Sequence, residues 1–146
     1  MCLIIRSMLP FGTAIRDGYL PIVINMRFVG GDYMIICSVT CADNLHEAKM
    51  MARAVKYHMP YAWIVICLME RTIHPAAVNV PWFDEVVLAK DLEIPRFEGS
   101  IFKYSLLEAV TSIKPKFLSS LFERYPHEQN VIFMDTDIIA YAPFDD

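Results

Sequence analysis

Short, nearly continuous apolar segments recur along the chain and are separated by polar connections. The segments at 33–39 (YMIICSV), 62–69 (AWIVICLM) and 131–134 (VIFM) contain many β-branched residues. Such runs are typical of strands that are buried on both faces of a parallel sheet. A weaker apolar segment at 83–89 (FDEVVLA) predicts a further strand.

Helical spacing appears between these strands. In 46–58, apolar residues recur three or four positions apart, as on one face of a helix. Asn44 is placed to cap this helix, and Glu47 can return the hydrogen bond in a capping box. Farther on, 101–114 is predicted as a helix. Pro115 is then predicted to open another helix, because the first helical position needs no N–H.

The order of these elements favours an α/β fold, with three α/β/α layers around a mostly parallel central sheet. The organised domain is predicted at 33–146. The preceding residues, 1–32, show no clean period and are interpreted as a poorly specified leader with one short strand at 21–26. Ligands of such sheets collect at the carboxyl ends of the strands. The segments expected to converge there are Thr40–Asn44, the loop at 70–82 and Asp135–Asp137.

Composition narrows the classes of function. A hydrophobic content of 55% predicts a large core, and a net charge of −4 argues against a non-specific nucleic-acid surface. No segment reaches the ~18 apolar residues that a membrane span requires. The four cysteines lack metal-site spacing, and Cys37 and Cys67 lie in apolar segments, so reduced, buried thiols and a cytoplasmic location are expected.

Two acids come directly after the last apolar strand. In an extended chain Asp135 and Asp137 would point to the same side, with Thr136 pointing away. Neighbouring carboxylates repel each other unless a cation lies beside them, and hard oxygen ligands select Mg²⁺ or Mn²⁺. The pattern therefore indicates a metal site with open positions for phosphate oxygens. The alternative is a pair of solvated acids in a turn, because D-x-D is a common string.

Four segments carry a resemblance to a known family: ICSVTCADNLHEAKMMARAVKYHMP, WIVICLME, FDEVVLAKDLEIPRFEGSIFKYSLLEAVTSIKPKFLSSLFERYP and VIFMDTDIIAYAPFDD. Through them, residues 34–146 resemble the amino-terminal half of a bacterial glycosyltransferase of the GT-A fold, related to the family-8-like enzymes. The order FKY…E…T…KP, then a strand and D-x-D, is more specific than D-x-D alone. The resemblance implies metal-dependent transfer from a nucleotide-diphosphate sugar, in particular a UDP-sugar, to an acceptor that the sequence does not identify.

The resemblance also implies a donor site. Asp135 and Asp137 match the pair that holds Mn²⁺ or Mg²⁺ with the diphosphate. Thr40 and the loop after it match the segment that cradles base and ribose, and Lys103 matches a basic position near the donor phosphates. The implied nucleotide-sugar site consists of Thr40, Asn44, Lys103, Asp135, Thr136 and Asp137. No catalytic residue is assigned.

Three further residues, Glu108, Thr111 and Lys114, match a helix motif of the family without an assigned role. Each has a plain alternative: Glu108 as an exposed helix acid, Thr111 as a packing residue, and Lys114 as a favourable charge near a helix carboxyl end. Lys103 could likewise be a solvated helix residue.

Enzymes of this kind usually take a further metal ligand and most of the acceptor site from a carboxyl-terminal half. Because the sequence ends at Asp146, the resemblance predicts a fragment with an incomplete fold, able to bind the donor weakly without transferring its sugar.

Two other functions compete with glycosyl transfer. The first is a phosphatase of the haloacid dehalogenase class, in which the first Asp of a D-x-D is the nucleophile; there, however, the motif normally opens the domain. The second is a non-catalytic binding or interaction remnant that self-associates through an exposed sheet edge.

Overall fold

The computed structural model describes residues 3–6, 34–94, 97, 106–128 and 130–143. The strands in this part of the chain are β1 (Leu3–Arg6), β2 (Ile35–Thr40), β3 (Trp63–Leu68), β4 (Glu85–Leu88) and β5 (Asn130–Phe133). The α-helices are α1 (Leu45–His58) and α2 (Leu106–Arg124), and two short 3₁₀ helices span Pro75–Ala77 and Ala89–Leu92. Among the described residues, neither α-helix has the combination of length and hydropathy that a membrane span requires.

The strands form one sheet in the order β1-β5-β2-β3-β4. Strands β5, β2, β3 and β4 are parallel to one another, and β1 runs antiparallel along β5. The α/β class and the mostly parallel sheet are therefore confirmed. The strands lie close to their predicted positions, with β2 ending at Thr40 rather than at Val39.

The two helices pack against opposite faces of this sheet. Met51 and Val55 of α1 belong to one apolar cluster with Ile64 of β3. Phe117 and Leu121 of α2 belong to a second cluster, on the face that carries the alternate strand residues. Both faces of the central strands are thus buried, which explains why their sequences are continuously apolar rather than alternating.

Helix α2 continues through Pro115, so the predicted break between two helices is wrong. An interior proline costs ~3 kcal/mol. The buried side chains on either side of it, including Ile113, Phe117 and Leu121, each contribute ~1.5–3 kcal/mol when they leave water. Their combined burial on one continuous face exceeds the local cost, and Pro115 itself lies on the exposed side of the helix.

The predicted capping box at the start of α1 is also wrong. Asn44 occupies the N-cap position with φ −99° and ψ 10°, and its side chain makes no capping hydrogen bond within the described structure. Capping side chains normally need an extended backbone at this position. Two backbone hydrogen bonds, from Asn44 N to Cys41 O and from Leu45 N to Ala42 O, impose a tight turn instead.

Part of the predicted leader belongs to the sheet, since Leu3–Arg6 forms the edge strand β1 and pairs with β5. The strand predicted at 21–26 lies outside the described residues, and so do residues 101–105 of the helix predicted at 101–114.

The strand order places a crevice between β2 and β5. From β2 the chain proceeds to β3 and β4 on one side and then returns to β5 on the other side of β2. In open parallel sheets, ligands bind beyond the carboxyl ends of the strands where the strand order reverses in this way.

Candidate functional site

A cleft of about 520 Å³ lies beyond the carboxyl ends of β2 and β5. Its volume falls within the ~300–1,000 Å³ of small-molecule sites. Residues from β2, α1, α2 and the segment after β5 line it, including the apolar residues Val39 and Val110. The polar lining residues are Thr40, Asn44, Glu47, Lys114, Asp135, Thr136 and Asp137.

The two aspartates lie in a turn. Met134 N still donates to Cys37 O at 3.0 Å, but Asp135 O then accepts a hydrogen bond from Ile138 N at 3.1 Å, which closes the turn. The expectation of an extended D-x-D is therefore wrong. Both acids nevertheless line the same cleft, Asp135 as a half-buried residue and Asp137 as an exposed one.

Lys114 from α2 binds the first of these acids. Its Nζ lies 2.6 Å from Oδ1 of Asp135, with about 20% and 27% of the two side chains exposed. The ammonium also lies 4.7 Å from the centre of the Phe133 ring. Burial raises the pKa of Asp135, whereas the hydrogen bond and charge of Lys114 lower it, and the net pKa lies below its ordinary value. Asp135 is consequently ionised at neutral pH.

Thr136 is tied to the other helix. Its Oγ1 donates to Oε2 of Glu47 in the first turn of α1 at 3.2 Å. The prediction that Thr136 points away is therefore wrong, because its side chain faces Glu47 and lines the cleft. The turn after β5 is bonded to α1 through Thr136 and to α2 through Asp135, which holds it from both faces of the sheet.

Thr40, Cys41 and Asn44 form the wall of the cleft on the β2 side. Thr40 is buried, and its hydroxyl donates to the carbonyl of Cys41 at 3.3 Å. Asn44 is exposed and lines the cleft. A carboxylate from beyond β3 holds this wall in place, since Glu70 Oε1 accepts from Ala42 N at 2.9 Å.

Two acids that shape the cleft, Glu47 and Glu70, are not among the predicted site residues. Glu47 is predicted only as part of the helix cap, although it comes three residues after Thr40–Asn44 and therefore belongs to the same sheet edge. Glu70 begins the loop at 70–82, which is predicted to converge at this edge, although Glu70 itself is not predicted as a site residue.

The structure brings most of the predicted site together. Thr40, Asn44 and the D-x-D turn share one cleft, and Lys114 joins them. Lys114 lies in the middle of α2, so its interpretation as a charge near a helix carboxyl end is wrong. Glu108 and Thr111 are exposed, and they are not among the described residues that line the cleft. Lys103 lies outside the described residues.

The donor chemistry of the cleft suits a hard cation. Asp135 and Asp137 supply carboxylate oxygens, which Mg²⁺ and Mn²⁺ prefer. Two protein ligands leave positions that phosphate oxygens or water can fill. No set of three or more His, Cys, Asp or Glu side chains in the described residues is arranged to hold a metal.

Comparisons of this chain with protein-family models, with curated proteins and with solved structures found no match. The function is therefore inferred from the residues, the cleft and the order of the strands.

Proposed function

We propose that the cleft binds the metal complex of a nucleotide-diphosphate sugar, in particular a UDP-sugar, and that the protein is a glycosyltransferase or the donor-binding part of one. The observation that carries the proposal is the meeting of the 40–44 loop and the D-x-D turn beyond β2 and β5, where the strand order reverses. The opposed helices and the parallel sheet are compatible with a three-layer fold of the GT-A type, which forms part of the proposal.

Two walls of the cleft correspond to the two ends of such a donor. The loop at 40–44, held by Glu70, would support base and ribose. The turn at Asp135–Asp137 would support the diphosphate through a bound Mg²⁺ or Mn²⁺, and this ion would neutralise charge on the departing diphosphate. Because Asp135 stays ionised at neutral pH, its carboxylate is in the form that a cation requires.

The side chains of the cleft also place a positive charge where the diphosphate would bind. Lys114 provides a positive group beside the D-x-D turn, where it can stabilise a diphosphate leaving group. The hydrogen bond between Thr136 and Glu47 fixes the turn relative to α1. A cleft fixed in this way loses little conformational entropy when its ligand binds.

The proposal is tested by calorimetric titration of UDP with and without Mn²⁺. Wild type is expected to bind UDP only with the metal present. Asp137→Asn removes an exposed ligand and should weaken metal-dependent binding about tenfold or more, the loss expected for one charged hydrogen-bonding group. Asp135→Asn should do the same, with circular dichroism as the check on folding.

Asp91→Asn is the matched control, because Asp91 is an exposed acid that lines a different cleft. Equal UDP binding by wild type, both site variants and this control would contradict the assignment of Asp135 and Asp137 as metal ligands. Release of phosphate from p-nitrophenyl phosphate would support the phosphatase instead. Self-association in size-exclusion chromatography, together with no nucleotide binding, would support the interaction remnant.

A further inference from the structure

Lys114 is the one basic side chain among the described lining residues of the cleft. Its ammonium contacts Asp135 at 2.6 Å and lies over the Phe133 ring, and four-fifths of its side chain is buried. The same cleft contains two more acids, Glu47 and Asp137. Among the described side chains, a lysine ammonium is therefore placed on the residue that the proposed function assigns to metal binding.

These two roles of Asp135 conflict electrostatically. A divalent ion at Asp135 would bring two further positive charges close to the ammonium of Lys114, in a partly buried site where screening is weak. The ammonium opposes the metal as long as it stays at Asp135. A diphosphate resolves the conflict, because its oxygens offer the ammonium a new anionic partner near the metal.

The side chain is suited to such an exchange. Lysine carries a compact charge on a flexible four-carbon stem, whereas an arginine fork would be held in one planar geometry. The apolar stem can lie along the Val110 side of the cleft, since Val110 precedes Lys114 by one helical turn and also lines it. The ammonium can then change partner without leaving the cleft.

On the basis of the proposed function, we infer that Lys114 is a donor-binding residue that exchanges partners: it neutralises Asp135 in the empty cleft and moves to the diphosphate oxygens when the metal nucleotide binds. Lys114 then makes metal and nucleotide binding interdependent. It disfavours the metal alone and favours the metal together with a diphosphate, and this coupling is reciprocal between the two ligands.

The experiment compares Mn²⁺ binding alone, by electron paramagnetic resonance, with UDP binding at saturating Mn²⁺, by calorimetry. Lys114→Met should bind Mn²⁺ alone about tenfold more tightly and UDP about tenfold more weakly, the scale of one charge-assisted hydrogen bond. Lys114→Arg keeps the charge and should retain most of the UDP affinity. Lys116→Met is the matched control, because Lys116 lies on the same helix but lines the other cleft.

A gain in Mn²⁺ affinity together with a loss in UDP affinity would not result from the loss of a purely structural ion pair, because loss of structure weakens the binding of both ligands. Thermal unfolding of each variant identifies such a loss, and Lys114→Gln provides a second uncharged variant. If wild type binds UDP with Mn²⁺ and Lys114→Met leaves both affinities unchanged, or shifts both in the same direction, the inference is overturned alone. If wild type binds no UDP, the proposed function fails and the inference fails with it.

Discussion

The contact between Lys114 and Asp135 should stabilise the fold itself, apart from any ligand. A hydrogen bond between charged groups contributes about 1.5–3 kcal/mol, whereas a fully exposed ion pair contributes about 0.2–1 kcal/mol. The 2.6 Å contact is partly buried, with about a fifth to a quarter of each side chain exposed. We therefore expect an interaction of about 1–2 kcal/mol at neutral pH, between these limits.

The sign of the pH dependence is set by the pKa of Asp135, which lies below its ordinary value in the folded protein. As the pH falls, Asp135 is therefore protonated in the unfolded chain at a higher pH than in the folded protein. The stability due to the pair is thus complete above the ordinary carboxyl pKa of about 4. It is lost as the pH falls through the lowered pKa of the folded state.

The assay is a double-mutant cycle of wild type, Asp135→Asn, Lys114→Met and the double variant, measured by urea unfolding in EDTA. The coupling should be about 1–2 kcal/mol at pH 7 and should decline towards the lowest pH at which all four proteins unfold cooperatively. The same cycle with Lys116→Met should give no coupling. A coupling below about 0.3 kcal/mol at pH 7 would contradict this expectation, because distant and independent sites add to within that margin. A coupling that stays constant as the pH falls would also contradict this expectation.

Three further predictions test the core and the loop. Phe117→Ala should lower the free energy of unfolding by about 3–5 kcal/mol because Phe117 is fully buried, whereas exposed Ser119→Ala should stay within about 0.5 kcal/mol in the same urea titration. Burial raises the pKa of Cys67 to about 12, so alkylation mapped by mass spectrometry at pH 8 should modify it only after unfolding. Glu70→Ala removes the acceptor for Ala42 N, and hydrogen exchange at that amide should accelerate about tenfold or more while exchange in β3 stays unchanged.

The strands could be predicted because their signal is local. Burial on both faces leaves a continuous apolar run that identifies β2, β3 and β5 without knowledge of their neighbours. Strand β1 has no such signal, since Leu3–Arg6 is short and ends in a charged residue. Its strand conformation depends on pairing with β5, which is distant in the sequence.

Two of the wrong predictions, at Pro115 and Asn44, arise because the surrounding structure outweighs a local preference. Pro115 favours a helix start, but the buried face of α2 extends across it. Asn44 favours a capping hydrogen bond, but the turn that connects β2 to α1 sets its backbone angles. In both cases a cost of a few kcal/mol at most is smaller than the burial gained by the whole element.

The site was predictable in position and not in conformation. Strand polarity alone places Thr40 and Asp135 at the same edge, since the carboxyl ends of parallel strands coincide there. The turn at Asp135–Ile138 depends instead on residues beyond the end of β5. Partly buried Ile138 and buried Ala140 pack against the core on the α1 side, and this packing draws the chain back over the sheet instead of letting it continue as a strand.

The same packing supports the proposed role of this short turn as a binding element. The helices α1 and α2 cover opposite faces of the sheet, and each contributes one side chain to the turn, Glu47 to Thr136 and Lys114 to Asp135. The four side chains line the cleft beyond the carboxyl ends of β2 and β5, where the strand order reverses. A turn held from both faces keeps its acids in place at little further entropic cost. In the proposed exchange, a ligand replaces the ion pair to Lys114 while the hydrogen bond to Glu47 maintains the turn.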